Sequence, residues 1–404
     1  MKSEWRIMRA EEFIDFNPRL SIKKGEIATK ISMDKLQPFT KQIPETGKAS
    51  FTGGAKFCNG DTIMARITPC LENGKTAFVD ILADEEVAFG STEFIVMRAK
   101  KGISDPQFVY YLAISPDFRQ IAIQSMVGSS GRQRVQQDVL NNVEIAVPAL
   151  EEQERIGSFL KRLDDKIALN NKINENLEQQ AQALFRKWFI DSPDAASWQV
   201  GNFSNLIEET VSGDWGKDKP SGNNTEMVYC IRGADIPEVR MGNKGKMPIR
   251  YILSKNYMAK QLTDGDIVVE ISGGSPTQST GRVAAITEAL LERYDRRIVC
   301  TNFCKAIKPK KGYSMYIYYY WQYLYNMGVL FSYENGTTGI KNLNINDFIE
   351  MEPINIAPKE LIDKFGAFCQ IIFSKIYENG LENEKLAQIR DLLLPKLMNG
   401  EIEL

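Results

Sequence analysis

The chain is written twice. A segment from Trp5 to Ile190 is echoed, loosely, by a second from Trp198 to the end. Each copy opens on a tryptophan and reaches Gly-Asp ahead of an apolar run: Gly60-Asp61-Thr62-Ile63-Met64, then Gly265-Asp266-Ile267-Val268-Val269. Each later carries a short glycine loop, Gly128 to Gly131 and Gly336 to Gly339, and each closes on a long helical pattern. The Gly-Asp pairs lie 205 residues apart and the glycine loops 208. That period exceeds any solenoid repeat and predicts two similar domains with pseudo-two-fold symmetry.

A chain of 404 residues has room for two to four domains, and 43% apolar with 25% charged residues is ordinary for a folded protein. The charged start, Lys2, Glu4 and Arg6, predicts no signal peptide and a cytoplasmic location. Histidine is absent, which excludes Ser-His-Asp, Cys-His and imidazole–metal chemistry but leaves carboxylate–magnesium chemistry open. The six cysteines form no CxxC pair. No dinucleotide glycine motif and no Asn/Asp-Pro-Pro-aromatic tetrapeptide occurs, which argues against an autonomous methyltransferase. Asp61, Glu72 and Asp266 are too scattered to form a spaced metal set. The net charge of −2 decides nothing about nucleic acid, because distribution matters more.

Residues 1–148 read as a first mixed α/β domain, 149–190 as a long helix, 191–357 as a linker and second mixed α/β domain, and 358–404 as a second helix with its tail. In the first domain, 61–67, 77–81 and 93–97 carry strand patterns and 108–122 a helix, with Pro116 predicting a kink or split. In the first long helix Ile156, Leu163, Ile167, Leu177 and Leu184 recur near period 3.5, with Asn170 and Asn174 on the same seam. Phe365, Ile372, Leu386 and Leu393 repeat that seam 209 residues on. Two such helices can pack as an antiparallel coiled coil, so the fold class is α+β with two similar domains and a paired-helix spacer. Asn379-Gly380 interrupts the second seam where the first has Asn170 and its neighbours, and predicts a local kink or break in both helices.

Three places offer DNA chemistry. The stretch 291–311 holds Arg293, Arg296, Arg297, Lys305, Lys308, Lys310 and Lys311 against Glu292 and Asp295, a net charge of about +5. It is either a phosphate-neutralising patch or a solvated hairpin. Arg132, Gln133 and Arg134 follow the first glycine loop, and Lys341 follows the second. Arginine can bond guanine and glutamine adenine in the major groove; the bland alternative is a surface turn. The polar loop 271–282 brings Gln278 and Arg282, and its counterpart, 67–75, is chemically different. Unlike loops on like scaffolds suggest unlike targets, or neutral drift.

These residues resemble the specificity subunits of type I restriction–modification systems. The resemblance rests on Gly265-Asp-Ile-Val-Val-Glu-Ile-Ser-Gly-Gly-Ser-Pro276, Ala183-Leu-Phe-Arg-Lys-Trp-Phe-Ile190, Leu392-Leu-Leu-Pro-Lys-Leu-Met-Asn-Gly-Glu-Ile402 and the duplicated plan, and it covers almost the whole chain. It implies two target-recognition domains, each reading half of a split DNA sequence. It also implies a helical spacer docking modification subunits, usually two, which bind S-adenosylmethionine and methylate adenine. Restriction subunits using ATP and magnesium would join that core, and no cofactor or catalytic residue would lie in this chain. The base-contacting residues are not implied by it. Two other classes remain open: a DNA-cleaving or DNA-modifying enzyme in its own right, and a protein-bridging scaffold.

Overall fold

The computed structural model describes residues 5–273, 278–336 and 341–404. The chain forms two compact units, one of 1–168 with 385–404 and one of 169–384. The first long helix, Leu150–Phe185, and the second, Lys359–Met398, each give one portion to each unit.

Both units are built to one plan. In the first, an antiparallel sheet runs in the order Ile14–Phe16, Phe94–Ala99, Thr62–Ala65, Thr76–Phe78. In the second, the order is Ile207–Ser212, Cys304–Pro309, Ile267–Glu270, Val283–Ala285. A second sheet repeats as well. Ile27–Ile31 pairs antiparallel with Gly47–Ser50 and parallel with Ala88–Gly90. Asn224–Ile231 pairs antiparallel with Ile249–Leu253 and parallel with Ile298–Cys300. A two-stranded ribbon closes each domain: Arg6–Arg9 with Glu144–Val147, and Gln199–Gly201 with Ile354–Ile356.

The Gly-Asp repeat is a turn feeding the central strand. Gly60 and Gly265 have φ of 91° and 88°, a region glycine enters without steric cost. Each aspartate folds back to accept from a backbone N–H three residues earlier, Cys58 to Asp61 and Thr263 to Asp266, both at 2.8 Å. Each also binds a cation from the neighbouring strand. Arg98 grips Asp61 through two 2.7 Å bonds, and Lys308, at the matching position, holds Asp266 at 2.9 Å.

Pro116 splits the expected helix at Ser115 into Pro106–Ile114 and Pro116–Gln124. Proline cannot donate to the helical ladder, and it disfavours the helical region at the residue before it. The second copy has no proline there and runs unbroken from Ser314 to Asn326. Neither long helix is broken at the expected point: Leu150–Phe185 and Lys359–Met398 are each continuous. Gly380 is a packing notch: a Cβ there would sit 1.9 Å from the Gly242 carbonyl oxygen. The asparagines form a buried ladder within the second unit. Asn170 donates to Asn383 at 2.9 Å, Asn379 donates to Asn174 at 2.8 Å, and Asn174 donates to the Ile376 carbonyl at 3.2 Å. Pairing 170 with 383 and 174 with 379 makes the two helix portions antiparallel. Of the seam positions, Ile156, Phe365 and Ile372 are buried, while Leu163, Ile167, Leu177, Leu184, Leu386 and Leu393 are half-buried. Aromatic packing joins both helices to the second core. Phe185 meets Tyr316 at 5.9 Å and Phe365 at 5.5 Å between ring centroids.

Candidate nucleic-acid interface

In the first unit, residues 127–134 form a small hairpin. Val127 and Arg134 exchange backbone hydrogen bonds of 3.0 and 2.9 Å, and Arg132 donates its backbone N–H to Ser129 at 2.9 Å. Gly128, at φ 137°, is needed because a Cβ would lie 2.9 Å from the Arg132 carbonyl oxygen. Thr68 donates to the Gln133 carbonyl at 3.0 Å and so anchors the hairpin to the central strand's exit. Arg134 is spent on Glu93, with both Nε contacts at 3.0 Å and Nη2 at 2.7 Å. Glu93 also holds the Arg134 guanidinium above its ordinary pKa. Arg132 is exposed at the tip, with no side-chain partner among the described residues, and Gln133 is half-buried beside it.

In the second unit, most predicted cations are engaged internally. Arg282 clamps the buried Glu270 at 2.8 and 2.7 Å and also donates to the Gly233 carbonyl at 3.2 Å. Arg296 pairs with Glu288. Arg297 reaches Glu226 at 3.2 Å and lies over the Tyr257 ring at 5.6 Å. Lys305 donates to Asn346 at 3.0 Å, and Lys341 pairs with Glu334 at 2.9 Å above the Phe331 ring. Gln278 is exposed. Residues 274–277 of the polar loop and 337–339 of the second glycine loop lie outside the described residues. A cation already paired with a carboxylate must release it before meeting a phosphate, so Arg132 is the predicted residue most available to a ligand.

Sequence reading missed a groove of about 590 Å³ in the first unit, bordered by Arg19, Lys56 and Arg66. These cations lie far apart in the chain, and only the fold brings them together. Also missed was a buried network on the long helices. Tyr111 donates to Asp164 at 2.6 Å, Arg390 binds the other oxygen of Asp164 at 2.6 Å, and Lys41 contacts the Tyr111 hydroxyl at 3.3 Å. Burial opposes the Arg390 charge, but Asp164 and then Asp391 outweigh it and hold the guanidinium above its usual value. Burial pulls Lys41 down to about 8 despite Asp164 and Asp165.

Among the described residues no group of three or more Cys, Asp or Glu could hold a metal ion, and no helix is long and apolar enough to cross a membrane. Burial pushes Cys230 and Cys304 up to about 12, which disfavours their thiolates.

Residues 2–179 match the family model described as the type I restriction modification DNA specificity domain. The chain is 28% identical over 408 residues to the HindI specificity subunit of Haemophilus influenzae, covering 85% of this chain and 86% of that one. It is 27% identical over 310 residues to the MjaIX specificity subunit of Methanocaldococcus jannaschii, covering 73% and 69%. The fold is similar to a type I S subunit from M. genitalium, with TM-score 0.54 at 15% identity and coverage of 98% and 96%. The chain is therefore similar, along most of its length, to the specificity subunits of type I restriction–modification systems.

Proposed function

We propose that this chain recognises DNA targets for a type I restriction–modification complex and serves in assembling that complex. Each domain reads one half of a split duplex sequence. The long helices carry modification subunits, two in the full assembly, which bind S-adenosylmethionine. Restriction subunits supply ATP- and magnesium-dependent steps. The observation that carries this reading is the duplication itself: one sheet plan occurs twice in a chain of specificity-subunit kinship, each copy followed by a long helix. Two weakly selective heads on one chain gain affinity and selectivity when both engage one duplex.

Arg132 and Gln133 are the proposed base readers of the first domain, and Gln278 is one of the second. Arg134, Arg282, Arg296, Arg297, Lys305, Lys308 and Lys341, each held by an internal partner, would exchange that partner for DNA. The seam residues Ile156, Leu163, Ile167, Leu177, Leu184, Phe365, Ile372, Leu386 and Leu393 organise the helices for subunit assembly.

Selection from a random duplex library by the complex with its modification subunit tests this. The expected product is a two-part consensus with a fixed gap. Recovery of a single continuous motif, or of none, overturns the two-headed reading.

A further inference from the structure

The basic groove in the first unit differs in kind from one in the second. Its walls include Asn17, Arg19, Lys56, Arg66, Thr92 and Phe94, and among the described residues no Asp or Glu borders it. The groove of about 760 Å³ in the second unit sets Lys308, Lys310 and Lys311 among Glu208, Asp264, Asp266 and Glu288. There the charge is largely balanced in place, since Lys308 already holds Asp266. In the first groove no described carboxylate lines the wall to balance it. Arg19 is exposed, while Lys56 and Arg66 are half-buried. Lys56 lies 5.2 Å above the Phe51 ring, and the Arg66 Nε is shut from water with no acceptor among the described residues. Concentrated, uncompensated positive charge in a concavity attracts an anion.

The backbone holds these residues in place. Gly54, at φ 121°, lies so close to Gly90 that a Cβ would come within 2.0 Å of its carbonyl oxygen. That approach lays the Gly53–Lys56 loop along Gly90 and Ser91, where Lys56 pairs with Phe89. Arg66 donates its backbone N–H to Glu93 and accepts from Val135, both at 2.9 Å. The next two residues tie directly to the hairpin: Ile67 bridges Arg134, and Thr68 bonds Gln133. The groove and the hairpin tip bearing Arg132 are therefore fixed to one stretch of backbone.

We infer that this groove seats a phosphodiester of duplex DNA through Arg66, Lys56 and Arg19, and thereby sets the register from which the Arg132 hairpin reads bases. The division of labour follows a general rule: phosphate contacts position and base contacts specify. The inference rests on the DNA-recognition reading above.

The test uses the full chain assembled with its modification subunits. The probes are a duplex recovered by library selection and a random-sequence duplex pool of equal length, each titrated between low and moderate salt. The Arg66→Gln/Lys56→Gln/Arg19→Gln triple variant should make the slope of log K against log salt shallower by about 0.9, the change for one lost phosphate contact, and each single variant by part of that. The loss should be similar on both probes. Arg132→Ala should instead narrow the ratio between selected and random duplex. A thermal melt checks each fold; if Arg66→Gln unfolds the domain, the Lys56→Gln/Arg19→Gln pair carries the test with a change of up to about 0.9. A wild-type slope in the folded variants overturns the seat while leaving the DNA reading intact. Wild-type protein that binds no duplex at any salt overturns the DNA reading and the seat together. Inorganic phosphate should compete no better than sulfate at equal ionic strength; a selective block by phosphate would mark a free-anion site and overturn the duplex assignment.

Discussion

Tyr111 and Tyr319 stand 208 residues apart on matching helices, and each donates its hydroxyl to a buried carboxylate on a long helix. The repeat would place the two carboxylates on different helices. Both lie on the first, as Asp164 and Glu178. Their other partners differ too. Asp164 is held by Arg390 from the second long helix and neighbours Lys41. Glu178 is approached at 3.5 Å by Arg240, from within the second globular domain, and accepts from Gln182 at 3.0 Å. Duplication preserved the backbone plan and the anchoring hydroxyl, whereas the charges answering that hydroxyl were settled separately in each half. Tertiary scaffolds tolerate such replacement because a buried polar group needs satisfied hydrogen bonds and paired charge, not a particular donor.

The comparison can be broken by substitution. Asp164→Ala leaves the largely buried Arg390 guanidinium with its neighbour Asp391 alone, and the Tyr111 hydroxyl without its acceptor. It should destabilise by about 3–5 kcal/mol in urea unfolding. Glu178→Ala removes a less tightly paired carboxylate and should cost about 2–3 kcal/mol. Equal losses would mean that the two anchors are energetically equivalent after all. Gly380→Ala drives a Cβ into the Gly242 carbonyl and should cost at least about 1–3 kcal/mol. Gly366→Ala, on the same helix with nothing within 4 Å, should instead stabilise by about 1 kcal/mol. Thermal melts of the pair separate notch from ordinary helix glycine.

A pH comparison sharpens the asymmetry further. The folded Lys41 pKa of about 8 lies below the ordinary lysine value of 10.5. The unfolded chain therefore binds more protons between those values, and stability relative to Lys41→Met should rise through that window. The gain is on the order of 1 kcal/mol per pH unit. Below pH 8 the burial penalty is fully present, and above 10.5 it is gone. A flat difference between the two proteins across pH 8 to 10.5 would remove Lys41 from the network.

The duplication was legible because backbone requirements leave local marks. Gly60-Asp61 and Gly265-Asp266 need a positive φ and a side chain that caps the turn, so they recur in register. The long helices announced themselves through apolar spacing, and Pro116 marked its own split. The engagement of Arg134, Arg282 and Arg297 was not legible. Their partners Glu93, Glu270 and Glu226 are chosen by strand register, and a run of basic residues looks the same whether paired or free. Gly380 misled for a similar reason: a glycine that admits a neighbour's backbone is indistinguishable in one dimension from a glycine that ends a helix. Arg19, Lys56 and Arg66 escaped because no single stretch of sequence contains them.

The position of Asp164 and Arg390 bears on how such a chain could be re-engineered. A graft that replaced residues 1–148 alone would bring a foreign tyrosine to a resident acid it never met, and would leave the resident guanidinium without the lysine and hydroxyl that share its burial. A workable transplant carries short lengths of both helices with the head. Any exchange of halves between relatives therefore has natural seams inside the helices, not at the ends of the globular folds.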